Sequence, residues 1–219
     1  ELKTPVAGIR LLSEAIRDAA EIEDKKSLNL FIDRLDNEAE RLQRLVIDLL
    51  DLSRLEETPD PDRCPRTDLH SAIVTSFMAH KGEAEDKHLD LVLDDRSVTG
   101  DDCYADMEPS DASLVFDNLI ENAIMYTDEG SILVTFEPRG HEIAVIVQDT
   151  GIGIPQTDQS RIFERFYRVD KARSREVGGT GLGLSLVRHA VERSKGRVSV
   201  KSNPGEGSQF TVVFPRAKR

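Results

Sequence analysis

The chain has 219 residues, contains no tryptophan and is only 5% aromatic. It is therefore not built to stack bases on aromatic platforms. Its two cysteines, Cys64 and Cys103, stand alone, with no Cys-x-x-Cys or Cys/His ligand spacing. A zinc ribbon is therefore not indicated; a Cys64–Cys103 disulfide stays open but nothing requires it, and a reducing compartment fits best. Long apolar runs are also missing. The longest, Leu45 to Leu55, is broken by Asp48, Asp51 and Arg54, so no segment is suited to crossing a bilayer. Positive charge is in deficit: the net charge of −12 argues against a nucleic-acid surface, which needs a basic footprint. Neither an initiator methionine nor a signal peptide opens the sequence. The start in mid-pattern at Glu1 suggests a piece of something longer.

What is present is the composition of a globular protein, 38% hydrophobic and 32% charged, in one large or two modest domains. Residues 2–20 carry Leu2, Ile9, Leu12, Ile16 and Ala19 in a helical stripe. After a polar break at 21–26, Leu28, Phe31, Leu35, Glu38, Leu42, Leu45, Leu49 and Leu52 follow at alternating steps of three and four. That is coiled-coil or bundle spacing. Val46 and Leu50 widen the stripe beyond what one hairpin can bury. Two hairpins in a four-helix bundle, hence a homodimer, solve this best, and packing on the rest of the chain is the alternative. The expected all-α hairpin covers 1–57. Three prolines between Thr58 and Pro65 mark a linker, 58–66.

From residue 67 to 219 the pattern turns to mixed α and β. Helices are expected over 69–78, 112–126 and 184–194. Strands are expected over 89–93, 132–136, 143–148, 198–201 and 210–214, with a hairpin turn at Arg139-Gly140. Helices on one face of a mostly antiparallel sheet make an α/β sandwich.

Two glycine-rich segments stand out, Asp149-Thr-Gly151-Ile-Gly153-Ile154 and Gly178-Gly179-Thr180-Gly181-Leu182-Gly183. Between Arg161 and Arg175 lie six cations (Arg161, Arg165, Arg168, Lys171, Arg173, Arg175) against two acids, Glu164 and Asp170. A solvated basic helix is the bland reading. With the flanking glycines, the stretch reads as part of a nucleotide site. Asp149, at a strand end, can accept from an exocyclic amine such as that of adenine, while Gly151 and Gly153 would let backbone approach the ring. An ordinary Asp-Thr-Gly turn is its alternative. Asn118 and Asn122 lie one turn apart on a helix, and an amide oxygen suits a Mg²⁺ already held by phosphates; a satisfied core amide is the competing role. Gly179, Gly181 and Gly183 precede a helix whose N–H groups would hold phosphates. No Lys-Ser/Thr follows, so this is not a Walker A loop, and the preceding basic segment is not the strand of a Rossmann fingerprint.

Asn118–Asn122, Asp149-x-Gly151-x-Gly153, Phe163-Glu-Arg-Phe166-Tyr-Arg168 and Gly179-x-Gly181-x-Gly183 resemble, in order and spacing, the N, G1, F and G2 boxes of sensor histidine kinases. Glu1-Leu-Lys-Thr-Pro5 is similar to the tail of their H box, His-Glu-Leu-Lys/Arg-Thr-Pro. The likeness, PhoR-like in kind, covers nearly the whole chain. It implies a dimerisation and phosphotransfer hairpin, followed by a catalytic domain of the Bergerat ATP fold shared with gyrase and MutL. ATP and Mg²⁺ would be the cofactors, and a response regulator the partner. Asn122 would coordinate Mg²⁺, Asn118 would line the phosphate site and Asp149 would bind the adenine amine. Tyr126 would pack near the nucleotide, Arg168 and Lys171 would meet phosphates, and Thr180 with the G2 glycines would hold the far end of an ATP lid hinged at Gly153 and Gly178–Gly179. Ile154 and Leu182, inside the two boxes, complete the expected binding set.

The resemblance further implies that Glu1 orients the acceptor histidine and that Thr4 positions water against a phosphorylated regulator. The acceptor would lie immediately before Glu1, since His70, His80, His88, His141 and His189 have no H-box context. Where the family commonly has lysine, this chain has Met125, so one phosphate contact is missing or comes from the lid. Val6, Arg10, Glu14 and Arg17 form the face expected to select the regulator. The implied protein is cytoplasmic in this portion, with membrane contact only through upstream segments. Two other classes compete: an ATP-gated interaction module without autokinase activity, and a clamp ATPase of the gyrase or MutL type.

Overall fold

The computed structural model describes residues 3–22, 24–57, 65–96, 103–170 and 179–217. Helix α1 (Lys3–Glu21) and helix α2 (Lys25–Glu56) form an antiparallel hairpin. The turn is set by Asp24, whose carboxylate accepts from the Ser27 backbone N–H at 3.2 Å and the Ser27 hydroxyl at 2.6 Å. This side-chain cap satisfies a donor that a helix start otherwise leaves open. Pro5 sits in the first turn of α1, where its missing N–H costs least. The seam residues Leu28, Phe31, Leu35, Glu38, Leu42, Leu45, Leu49 and Leu52 are all buried or half-buried.

The remaining elements are β1 (Arg66–Asp68), α3 (Leu69–Asp86), β2 (Asp90–Asp94), β3 (Tyr104–Asp106), α4 (Pro109–Tyr126), β4 (Ser131–Arg139), β5 (Glu142–Asp149), α5 (Gly183–Arg193), β6 (Arg197–Asn203) and β7 (Gly207–Pro215). The main sheet has the order β2-β4-β5-β7-β6. Only β2 and β4 run parallel; the other pairs are antiparallel. Strands β4 and β5 join through a tight turn at Gly140, whose φ of 62° is left-handed. Ile132, Val134 and Phe136 alternate inward on β4 and join one hydrophobic cluster with Val115, Phe116, Leu119 and Ile120 of α4, all fully buried. Phe116 and Phe214 meet edge-to-face with centroids 6.5 Å apart.

Two features depart from the sequence reading. Helix α3 continues well past Met78 to Asp86, because Ala84 still packs into the core. A second, two-stranded sheet pairs β1 with β3 antiparallel. Strands of three residues carry too little alternation to be seen as a pattern.

The hairpin does not stand apart from the α/β layer. Leu45, Leu52 and Leu55 of α2 are 1%, 6% and 5% exposed and belong to the same hydrophobic cluster as Leu69, Leu119 and Leu186. Part of the wide stripe on α2 is thus covered from within the chain. Buried leucines contribute roughly 1.5–3 kcal/mol each. Polar contacts surround them. Asp111, buried in the first turn of α4, accepts from Arg54 of α2 at 3.1 Å and lies 3.9 Å from Arg193 of α5. Arg193 also donates to the Arg54 and Leu55 carbonyls at 3.0 and 3.4 Å. Arg165 donates to Glu56 at 2.6 Å.

Removing Asp111 would leave two arginines facing each other across α2 and α5. Asp111→Ala is expected to destabilise the chain by about 2 kcal/mol. Met78→Ala, at a site 59% exposed, is expected to cost about 0.5 kcal/mol or less. Urea unfolding of the two variants side by side checks the pair.

Candidate nucleotide-binding site

A cleft of about 570 Å³ opens between α4, the start of α5, the segment after β5, and α2. Its size is that of a small-ligand pocket. The sequence-predicted residues Asn118, Asn122, Tyr126, Asp149, Gly153, Ile154, Arg168, Gly179, Thr180, Gly181 and Gly183 all line it. Gly151 and Leu182 are brought close but do not line it: Gly151 is buried, and Leu182 is fully buried as the residue before α5. Thr4 is exposed in the first turn of α1, outside the cleft. Glu1, Lys171 and Gly178 lie outside the described residues, as does most of the expected linker.

At one end of the cleft, Asp149 closes β5 and is 5% exposed. Its Oδ1 accepts from the backbone N–H of Gly151 at 2.9 Å and of Ser208 at 3.1 Å. Both donors reach the same oxygen, so Oδ2 is the one available to a ligand. Burial pushes this carboxyl above its ordinary range, against the pull of the two donors. Ile152, Ile154, Ile162 and Phe210 supply apolar surface around it. An acceptor fixed in an apolar slot is the chemistry that an adenine ring and its amine require.

The glycines of this loop serve the protein's own packing. A Cβ on Gly151 would come within 2.2 Å of the Tyr126 carbonyl oxygen, and one on Gly153 within 2.0 Å of the Asn203 carbonyl oxygen. Gly153 also has a φ of 69°. Their small size seats the loop between α4 and the β6–β7 turn, instead of admitting a ring to the backbone.

At the other end, Asn118 and Asn122 each donate a side-chain N–H to the carbonyl four residues back, at 2.8 and 2.7 Å. Each amide nitrogen is occupied, which leaves the side-chain oxygen, the atom a hard cation needs. Asn118 Oδ1 faces the start of α5 so closely that a Cβ on Gly183 would meet it at 2.3 Å. Helix α5 begins after Leu182 with no side-chain cap, so the open N–H groups of its first turn face the cleft beside Gly183 and Leu184. Open donors and the positive helix end form an anion site. The donor set therefore fits a nucleotide phosphate chain with Mg²⁺.

The F and G2 boxes clasp each other. Phe166, at a φ of 63°, donates its N–H to the Gly181 carbonyl at 2.8 Å, and Arg168 donates to the Gly179 carbonyl. Thr180 links the loop to the hairpin. Its hydroxyl accepts from Leu182 N–H at 3.2 Å and donates to Asp48 of α2 at 2.5 Å. Burial pushes the Asp48 carboxyl up, while this hydrogen bond pulls it down.

Sequence reasoning missed the wall made by α2. Arg44, Ile47, Asp48, Asp51 and Arg54 line the cleft. Their spacing of three and four places them on one helical face. Charges recurring at that period beside an apolar seam were the signal. Ser208 and Phe210 of β7 were also missed; nothing short of the β5–β7 register, in which Asp149 pairs with Ser208, brings them to the site.

Comparison with known proteins assigns this arrangement. Residues 107–218 match the family described as histidine kinase-, DNA gyrase B-, and HSP90-like ATPase, and residues 1–58 match the His Kinase A (phospho-acceptor) domain. The chain belongs to the sensor histidine kinases. It is 37% identical to the sensor-like histidine kinase SenX3 of Mycolicibacterium smegmatis over 98% of this chain and 55% of that protein. With the sensor histidine kinase WalK of Bacillus subtilis it shares 35% identity over 98% of this chain and 35% of that protein. The chain thus spans about half the length, or less, of these relatives. In fold it is similar to the Acinetobacter baumannii histidine kinase AdeS, with a TM-score of 0.75 and 23% identity over 100% of this chain and 98% of that one. Histidine kinase ThkA, in its complex with response regulator TrrA, gives a TM-score of 0.75 at 22% identity, covering 100% of this chain and 60% of that one. The hairpin and the α/β sandwich of this kinase are those expected from its sequence. No helix among the described residues is long and apolar enough to cross a membrane.

The raised Asp149 carboxyl sets a pH dependence. Protonation would remove the acceptor that Asp149 offers to a ligand amine, and it occurs above the usual carboxylate value of 3.8. ATP affinity is expected to fall on acidification, starting above that value. Titration with a fluorescent nucleotide across pH checks this, and Asp149→Asn should bind weakly without the extra acid limb.

Proposed function

We propose that this chain is the catalytic core of a sensor kinase that binds ATP with Mg²⁺, phosphorylates a histidine and passes the phosphoryl group to an aspartate of a response regulator. The observation that carries the reading is the convergence of Asp149, Asn118, Asn122 and the uncapped start of α5 on one cleft. Asn122 would hold Mg²⁺ through its side-chain oxygen, and the ion would neutralise charge between the terminal phosphates. The N–H groups of α5 and Arg168 would stabilise charge on the phosphoryl group in transit.

The acceptor is the residue directly before Glu1. Its imidazole nitrogen attacks the γ-phosphorus; the new P–N bond forms as the P–O bond to ADP breaks, with the electron pair leaving on the ADP oxygen. Glu1 takes or orients the imidazole proton. The histidines within the chain have other settings: His70 pairs with Asp95, His80 lies between Glu83 and Asp117, and His141 sits at the β4–β5 turn.

Homodimerisation through the hairpin is supported by apolar side chains that the α/β layer leaves uncovered. Val6, Leu11, Leu30 and Leu50 are 55%, 66%, 48% and 66% exposed. The exposed position of Thr4 supports a second activity, water-mediated removal of the phosphoryl group from the regulator. Val6, Arg10, Glu14 and Arg17 would form the face that meets it. Membrane attachment, if the parent protein has it, would come through segments upstream, with this portion in the cytoplasm.

Incubating a chain extended upstream through the H box with labelled ATP tests the assignment. Acid-labile, base-stable label is expected on the protein, with a drop of at least about 100-fold in Asn122→Ala. Nucleotide binding without label would favour an ATP-gated interaction module, and steady ATP turnover without label would favour a clamp ATPase. Thr4→Ala is expected to keep autophosphorylation and lose regulator dephosphorylation; normal dephosphorylation by that variant would remove the second activity.

A further inference from the structure

The cleft is strongly acidic for a site that receives a polyanion. Asp48 and Asp51 face it from α2, Asp117 and Glu121 from α4, and Asp170 from the segment that follows the F box. Helix α4 carries Asp117, Asn118, Glu121, Asn122 and Met125 on its cleft side and no cation. The first turn of α5 brings backbone donors and no cation. Among the described residues, the positive side chains lining the cleft are Arg44, Arg54 and Arg168.

These three are not equivalent. Arg168 is tied to the Gly179 carbonyl. Arg54 donates to buried Asp111 at 3.1 Å and lies 3.6 Å from Asp51, so moving it would strand a carboxylate in the core. Arg44 meets Glu121 at 4.0 Å, with both side chains 39% exposed. A half-exposed pair at this separation contributes little. Its guanidinium can leave Glu121 at small cost.

The position of Arg44 matches the need. One turn further along α2, Asp48 holds Thr180 of the G2 loop, and Glu121 directly precedes Asn122 on α4. Arg44 therefore lies in the same cleft one helical turn from the residue that holds the G2 loop and pairs with the neighbour of the residue suited to the metal.

Building on the nucleotide-site reading, we propose that Arg44 of the hairpin is a ligand to the distal phosphates of ATP. It would exchange Glu121 for the phosphate oxygens and supply from α2 the cation that α4 lacks. The nucleotide site is then complete only when the hairpin is docked on the α/β layer. Affinity for ATP becomes a property of hairpin position, and by linkage ATP favours the docked state.

The test is equilibrium binding of ATP–Mg²⁺ and ADP–Mg²⁺ by calorimetry to the 219-residue chain, with urea unfolding to verify that each variant folds. Arg44→Ala is expected to weaken ATP about tenfold or more, the scale of a lost charge-assisted hydrogen bond, and ADP less than about threefold. Arg44→Lys should recover part of the ATP affinity, and Met125→Lys in the Arg44→Ala background should recover it from the α4 side. Lys81→Ala, an equal charge change on α3 outside the cleft, should bind both nucleotides as the parent chain does. If Arg44→Ala binds ATP within about twofold of the parent, the assignment is overturned and the nucleotide site stands. If ATP and ADP weaken equally, Arg44 acts through docking alone and the assignment is likewise overturned. If the parent chain binds neither nucleotide, the site reading fails and takes the assignment with it.

Discussion

Asp111 joins the two halves of the molecule. It lies in the first turn of α4, buried, and receives Arg54 from α2 while Arg193 of α5 stands beside it. Taking a carboxylate out of water is costly, and burial does push this one above its ordinary range. Two arginines from two different helices offset that cost only if α2, α4 and α5 keep their relative positions. Around this point Leu45, Leu52 and Leu55 lose their exposure. Without that geometry the cleft has no wall on the hairpin side.

The wall changes what kind of site the cleft is. A nucleotide held only by α4, α5 and the loop after β5 would be bound by one rigid layer. Here Thr180, in the loop that leads into α5, also answers to Asp48 on the hairpin. A shift of α2 along its axis moves Asp48, and the hydroxyl must follow or lose its partner. The Leu182 N–H that donates to the same hydroxyl then loses its fixed acceptor at the start of α5. Motion in the hairpin would thereby reach the uncapped start of α5 through two hydrogen bonds, without any change in the sheet.

Much of this was legible in the sequence, for definite reasons. Seam residues on α2 stand out because apolar side chains at steps of three and four have few other uses, and β4 and β5 because two short β-rich runs flank an Arg-Gly turn at hairpin spacing. Asn118 and Asn122 were legible because asparagine is mildly unfavourable in mid-helix, and Asp149 because a carboxylate closing a strand just before two glycines offers an acceptor there. The glycines misled on cause. Gly151 and Gly153 mark the right loop, yet their size is required by the Tyr126 and Asn203 carbonyls. Arg44, Asp48 and Asp51 were invisible as site residues because docking between two layers is set by contacts far apart in the chain. Sequence periodicity reports a helical face but not which neighbour the face meets.

Helix α2 has two claimants for its surface. One is the α/β layer, which takes Leu45, Leu52 and Leu55; the other is a second hairpin, to which Leu30 and Leu50 remain available. On the proposed reading, phosphoryl transfer at the start of α1 would require the nucleotide to approach it, so the docked arrangement would have to open. The contacts that would have to break are suited to this. Arg44 with Glu121 and Arg165 with Glu56 are at least partly solvated, and such pairs hold by about 1 kcal/mol or less. The apolar contact of three leucines is stronger but has no directional requirement, so it can slide where the Asp111 cluster cannot. Sliding of the apolar face is thus opposed by the directional contacts, Arg54 on the buried Asp111 and Arg193 on the Arg54 and Leu55 carbonyls, and a rotation of the hairpin that opens the cleft has to break both.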